Sequence, residues 1–301
     1  RSRGLGDVYK RQHIDSTYRT WTDRRHRATS GLSMGGFMSL FLSARYPDLI
    51  GSASAFNPAP EFFTGEKGRR SLWRSKDHVA GHGHSMVRLV RGSGDYISQY
   101  HEETRDAYAR ADEVDFEYRQ DEYHRHWATS IAETFEFHMR AFANPKLNKT
   151  PAVWTYANAY KSFEVWGYRV SSSNSEPGYT YLEDVTQGGL QVTTRRWAPD
   201  GPSSPGCRIT ITSAPIYSAG KSYAVLDYSL KEGTVSREEV KADVEGRITW
   251  TVDGEGHRLS FLGPGTGAHP PVLLPLTTKD RVRCLSQEEI SLPIRVYNPR
   301  G

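Results

Sequence analysis

The hydrophobic pattern of this chain changes period once, across the proline-marked stretch from Ala143 to Pro151, and no other feature constrains its fold as strongly. Asn144-Pro145 and Lys149-Thr150-Pro151 interrupt regular structure there, because proline lacks a backbone donor and restricts the residue before it. Ahead of the break, short apolar runs alternate with stretches of helical period. Strands are expected at 27–30 and at Leu49 to Phe56, Met86 to Val90 and Val114 to Tyr118. A helix carrying Phe37, Met38, Leu40, Phe41 and Leu42 ends before Pro47. Further helices are expected over Ile14 to Trp21, Gln99 to Ala111 and Ser130 to Phe142, the last with Ile131, Phe135, Met139 and Phe142 along one face. Glu61 to Gly83 is polar and glycine-rich and reads as a loop with a short helix near Arg70 to Trp73. Alternating strands and helices define an α/β class with a parallel sheet.

Behind the break the period shortens. Seven runs, at Phe163 to Ser171, Leu190 to Arg196, Arg208 to Thr212, Ser222 to Leu230, Ile248 to Val252, Arg258 to Leu262 and Ile290 to Val296, are separated by Gly, Pro, Asn and Asp. That spacing predicts an all-β, sandwich-like antiparallel domain. Trp154, Trp166, Trp197 and Trp250 read as its core, with a sugar-binding platform as the alternative. The resulting division is a non-native leader over 1–12, an α/β domain over 13–143, a linker over 144–151 and a β domain over 152–301. Native sequence then begins near His13, and earlier strands or an export signal would lie upstream.

Composition narrows the partners. Of the 301 residues 37% are hydrophobic and 25% charged, and no apolar run approaches the roughly 18 residues of a membrane span. The net charge of +4 divides as 22 basic against 19 acidic residues before Lys149 and 17 against 16 from there on. Neither half is a basic domain, which argues against nucleic acid, and Arg24, Arg25, His26 and Arg27 read as a solvated face. Cys207 and Cys284 both fall in the second half, as one bridge or as two buried thiols; a bridge would place the protein in a secreted or periplasmic setting. His78, His82 and His84 lie in a flexible glycine-rich stretch that no carboxylate or cysteine cluster adjoins, so no metal is expected. Gly92-Ser93-Gly94 lacks the lysine and spacing of a phosphate cradle, so no cofactor is expected.

Chemistry concentrates in three places. Gly31-Leu32-Ser33-Met34-Gly35 sets Ser33 in a Gly-x-Ser-x-Gly turn between a strand and a helix, where small residues let the backbone bend and a base approach. Serine needs that base beside it, a carboxylate to hold the base, and backbone amides facing the oxyanion. Asp95 follows the Met86 to Val90 strand, and His124 or His126 follows Val114 to Tyr118. Serine, acid and histidine thus come in the chain order of an α/β-hydrolase, each after a strand. The Met34 amide is the expected oxyanion donor.

Tyr18-Arg19-Thr20, Arg27, Gly31-Leu32-Ser33-Met34-Gly35-Gly36, Arg45-Tyr46-Pro47-Asp48 and Gly51-Ser52-Ala53 resemble the esterase D or putative esterase family. That family includes feruloyl and acetylxylan esterases, S-formylglutathione hydrolases, siderophore esterases and mycolyltransferases. The resemblance runs over about residues 13–142 and implies a partial α/β-hydrolase sheet, with Ser33 as nucleophile, Asp95 in the Gly-x-x-Asp position and a histidine before the last helix as base. It implies a serine carboxylesterase acting on a small-molecule or polysaccharide-linked ester such as an acetyl or feruloyl group. Acyl transfer to an alcohol, or an inactive binding protein, would share the pattern. The chain departs from its relatives twice. They carry glycine before the catalytic histidine, whereas this loop reads Tyr123-His124-Arg125-His126-Trp127, with His124 favoured by its distance from the strand. They also carry several strands and a second oxyanion donor before the nucleophile, whereas 32 residues precede Ser33 here.

Overall fold

The structure is a computed structural model, and it describes residues 12–121 and 128–264. Two compact units emerge: Arg1–Phe62 with Arg74–Thr150, and Phe63–Trp73 with Pro151–Gly301.

The first unit is built on four parallel strands. They are β1 (Ala28–Leu32), β2 (Ser52–Phe56), β5 (Met86–Gly92) and β6 (Asp115–Asp121), in the order β1-β2-β5-β6; in the chain between β2 and β5, β3 (Glu61–Glu66) and β4 (Arg69–Arg74) pair as a separate hairpin, which from Phe63 to Trp73 belongs to the second unit. The register aligns Leu32, Phe56, Val90 and Arg119 in one row across the sheet. Helices α1 (Met34–Arg45) and α2 (Ser98–Ala109) supply crossovers from β1 to β2 and from β5 to β6, as parallel strands require, and α3 (Ala128–Ala143) follows β6. The small residues of β2, all buried, let helices approach the sheet, as a doubly covered parallel strand needs. Phe37 and Leu40 of α1, Val87 and Leu89 of β5, and Phe137 and Ala141 of α3 fill the layers around it.

Three expectations for this unit change. Helix α3 forms, but Ile131, Phe135 and Met139 are 49%, 67% and 60% exposed, and Thr134, Phe137, His138 and Ala141 face the sheet. Polar groups on the sheet decide the matter: Ser52 hydrogen-bonds His138 Nδ1 at 2.9 Å, and Arg88 donates to Thr134 at 3.0 Å and to Glu133 at 2.6 Å. Arg24, read as solvated, is buried and donates to the carbonyls of Pro47, Leu147 and His84 and to Ser85 Oγ. Its fork of donors ties three segments together, at Pro47, at His84-Ser85 and at Leu147. Finally, the stretch around Glu61 to Gly83 is not a loop with a helix near Arg70. It forms the β3–β4 hairpin, followed by short 3₁₀ turns at Ser75–Asp77 and Val79–His82.

In the second unit, β7 (Trp154–Asn158), β10 (Tyr179–Thr186), β11 (Gly189–Arg195), β13 (Ser222–Ser229), β14 (Val235–Lys241) and β16 (His257–Leu262) form an antiparallel sheet ordered β14-β13-β16-β11-β10-β7. Strands β8 (Ser162–Val165), β9 (Tyr168–Ser172), β12 (Arg208–Thr212) and β15 (Thr249–Asp253) form a second, ordered β15-β12-β9-β8. Alternate residues of both, including Leu182, Val192, Leu259, Phe261, Val170, Ile209, Ile211 and Trp250, enter one shared core. The run Phe163 to Ser171, read as one strand, folds as the β8–β9 hairpin because Trp166 and Gly167 both take positive φ, 50° and 80°. Such a pair makes a two-residue turn whose twist matches that of the strands. Segment 63–73 joins this unit through Ser71, which accepts the Gly178 N–H at 2.7 Å, and through the Leu72 carbonyl, which accepts from Tyr179 Oη at 2.8 Å. Cys207 is a buried free thiol. Cys284 and the Ile290 to Val296 run lie outside the described residues.

Candidate active site

Ser33 sits where β1 passes into α1, with φ 53° and ψ −114°. A side chain rarely adopts this region, and holding it there costs about 1–3 kcal/mol that the surroundings must supply. The supply is visible. Ser33 donates its N–H to the Phe56 carbonyl at 2.9 Å, and its own carbonyl accepts from Phe37 at 2.9 Å and Ala59 at 3.0 Å. Its hydroxyl makes no capping bond to the helix it starts.

Two glycines make the turn sterically possible, and only one is a fixed member of the pentapeptide that sequence reading emphasised. A Cβ on Gly31 would stand 2.5 Å from the Gly35 carbonyl oxygen, and one on Gly36 would stand 2.9 Å from the Phe56 oxygen. One on Gly35 would meet nothing within 4 Å. Gly31 and Gly36 therefore let α1 start hard against β1 and β2, while the Cβ position of Gly35 is open.

Met34 is the first residue of α1, and its N–H, like those of Gly35 and Gly36, has no carbonyl four residues back within the helix. The positive end of the helix dipole adds to those donors. The Met34 side chain is exposed.

Asp95 lies past the end of β5 at the same edge of the sheet, since all four strands run parallel and Ser33 and Asp95 both follow the row Leu32, Phe56, Val90, Arg119. It is buried, and its Oδ1 accepts the Ile97 N–H at 3.1 Å in the turn that opens α2. The segment after β2 joins the two turns. Asn57 donates its N–H to the Val90 carbonyl at 2.9 Å and accepts the Gly92 N–H at Oδ1 at 2.5 Å. The Pro58 carbonyl accepts from His101 Nε2 of α2 at 3.0 Å, which fixes the proton on that nitrogen. Burial holds the His101 pKa below its ordinary value, so the ring stays neutral in that role. Phe56 to Ala59 thus grips the serine turn on one side and the acid turn on the other. The place of Asn57 between two turns is set by strand order, which one sequence does not display.

His124 and His126 follow β6 in the chain and lie outside the described residues. Three buried histidines of this unit, His82, His101 and His138, have structural partners. His82 is buried, with Nε2 2.7 Å from Ser43 Oγ and Nδ1 2.7 Å from Tyr108 Oη, so both ring nitrogens are occupied in joining α1 to α2. Burial pushes His82 and His78 down to about 3. Among the described residues no cluster of His, Cys, Asp or Glu is arranged to hold a metal.

Fold and site define an α/β unit that carries a strained serine and a buried carboxylate at the carboxyl edge of a parallel sheet. Residues 11–140 match the putative esterase family. No curated protein matches. Among solved structures, a ferulic acid esterase is similar at 18% identity over 44% of this chain and 58% of that chain, with a TM-score of 0.34. The present chain therefore spans less than two thirds of that protein's length.

Proposed function

We propose that the first unit is the catalytic part of a serine carboxylesterase that works through an acyl-enzyme. Ser33 attacks the ester carbonyl, while His124 or His126 takes the hydroxyl proton and returns it to the leaving alcohol. Asp95 holds the imidazolium, the Met34 N–H faces the oxyanion, and water releases the acyl group by the reverse proton path. The observation that carries this reading is the backbone of Ser33. A non-glycine residue is held at φ 53° by bonds to Phe56, Phe37 and Ala59, with its hydroxyl left out of helix capping. A turn that merely needed to bend would take glycine there at lower cost. Match to the putative esterase family supports an ester as substrate. For the substrate class we favour an acetyl or feruloyl substituent on a polysaccharide.

A fluorophosphonate probe tests the assignment directly. Labelling of the protein that disappears in Ser33→Ala, together with loss of p-nitrophenyl acetate hydrolysis, is the expected result. Equal hydrolysis by both proteins would overturn it.

A further inference from the structure

The four tryptophans of the β unit have separate fates. Trp154 and Trp250 are buried in the shared core, and Trp166 packs against it. Trp197 is 56% exposed. It stands in the loop that follows β11, and that loop is tightly folded. The Gly201 N–H donates to the Trp197 carbonyl at 3.0 Å, Arg196 donates to the Pro202 carbonyl at 2.9 Å, and Arg195 Nη1 reaches the Pro199 carbonyl. A Cβ on Gly201 would stand 2.9 Å from Cδ2 of the indole, so the ring rests on backbone where only glycine fits. The indole is supported on one side and open to solvent.

Leading up to it, Gln191, Thr193 and Arg195 alternate with Leu190 and Val192 of the core, and so face the outside of the six-stranded sheet. They form one connected polar row. Glu183 of β10 accepts from Gln191 Nε2 at 2.9 Å, Thr193 Oγ1 at 3.2 Å and Arg195 Nη2 at 2.6 Å, and the Gln191 oxygen accepts from Arg258 Nη2 of β16 at 2.8 Å. At about 3.4 Å per residue the row is about 14 Å long from Gln191 to Arg195. Its side chains are half-buried and fixed in direction by one another.

We propose that Trp197 and this row form a binding site for a neutral polysaccharide chain. A pyranose ring presents polarised C–H groups on its faces and hydroxyls around its edge. The C–H face suits the negative π face of the indole. The hydroxyl edge suits an array offering both donors and acceptors, as amide, hydroxyl, guanidinium and carboxylate do together. Glu183 pairs with Arg195 at 2.6 Å, so this part of the row offers hydroxyls a carboxylate acceptor and guanidinium donors with no net charge between the two. The site lies wholly in the second unit and stands independently of the Ser33 reading.

Native affinity electrophoresis of the full chain in gels containing arabinoxylan, mixed-linkage β-glucan or polygalacturonate tests this. Retardation is expected in at least one of the two neutral polymers. Trp197→Ala should weaken it by about tenfold or more, as for a stacking residue at the centre of a contact, while Trp197→Tyr retains most of it. Thermal unfolding of both variants should match that of the parent, since the side chain is outside the core. Ser33→Ala should be retarded like the parent, which separates this site from the esterase. No retardation in either neutral polymer, retardation unaffected by Trp197→Ala, or retardation in polygalacturonate alone would overturn the proposal.

Discussion

The side-chain oxygen of Asn57 accepts the Gly92 N–H at 2.5 Å, so the residue that follows Phe56, the partner of Ser33, also fixes the end of the strand that leads to Asp95. Asn57→Ala leaves that buried donor without an acceptor, at a cost of about 1–3 kcal/mol. It also places alanine at φ 37°, where asparagine is tolerated better. Asn57→Gly removes the second penalty and keeps the first, whereas Asn57→Asp keeps the acceptor. The expected order of thermal stability is parent, Asp, Gly, Ala, with fluorophosphonate labelling slowed in the last two. Equal stability and labelling in all four would show that the contact does not hold the turns.

The glycines around Ser33 make a sharper comparison. Gly31→Ala and Gly36→Ala both drive a methyl into backbone, whereas Gly35→Ala puts it in open space at an ordinary helical position. The first two should destabilise by several kcal/mol or fail to fold, in line with backbone overpacking. Gly35→Ala should fold like the parent, and alanine's better helix propensity even favours it. Measured by thermal unfolding, a Gly35→Ala protein as stable as the parent is the expected outcome, against a large loss in the other two.

How far the sequence could be read depended on whether a feature is local. The Ser33 turn, the strand of small residues from Ser52 to Phe56 and the run Arg208 to Thr212 are local patterns of spacing and size, and each was legible. The buried side of α3 was not, because both of its sides carry apolar residues and the sheet's Ser52 and Arg88 select the one with His138 and Thr134. Strand β14 was equally hidden: Ser236, Arg237, Glu238 and Glu239 look like a solvated turn, yet the backbone pairs with β13 along its length at an exposed edge. The turn that carries Asp95 is local, but the contacts of Asn57 that hold that turn in place depend on which strands are neighbours.

Helix α3 turns this into a test. Phe135 is 67% exposed and Phe137 is 1% exposed, two residues apart. Phe137→Ala should cost about 3–5 kcal/mol by opening a core cavity. Phe135→Ser should change stability by no more than about 0.5 kcal/mol, as at most surface positions. Chemical denaturation of the two variants checks the assignment, and a larger loss at Phe135 would restore the face expected from periodicity.

The two units should respond to pH near neutrality with opposite signs. In the first, burial holds His78 and His82 at about 3 and His138 at about 4, with the Arg88 charge adding to the effect on His138. The unfolded chain takes up protons below the ordinary value of 6.5 while the folded unit does not, so stability drains away as pH falls from 6.5 towards those values. In the second unit His257 is also buried, which opposes its charge, but Asp227 at 2.7 Å and Asp253 at 3.0 Å more than offset that and hold its pKa above 6.5. Its contribution is fully present below 6.5 and is lost as pH rises through the folded value. Asp253 is itself held below 3.8, where burial is outweighed by the Glu255 N–H and His257, so its contribution persists until pH falls below 3.8. Between pH 8 and pH 5, peptide-resolved hydrogen exchange should therefore show protection falling in α1 and α3 while it rises around β13 and β16. His257→Gln should flatten the second response and leave the first unchanged. A common direction of change in both units would mean that these histidines do not set the pH dependence.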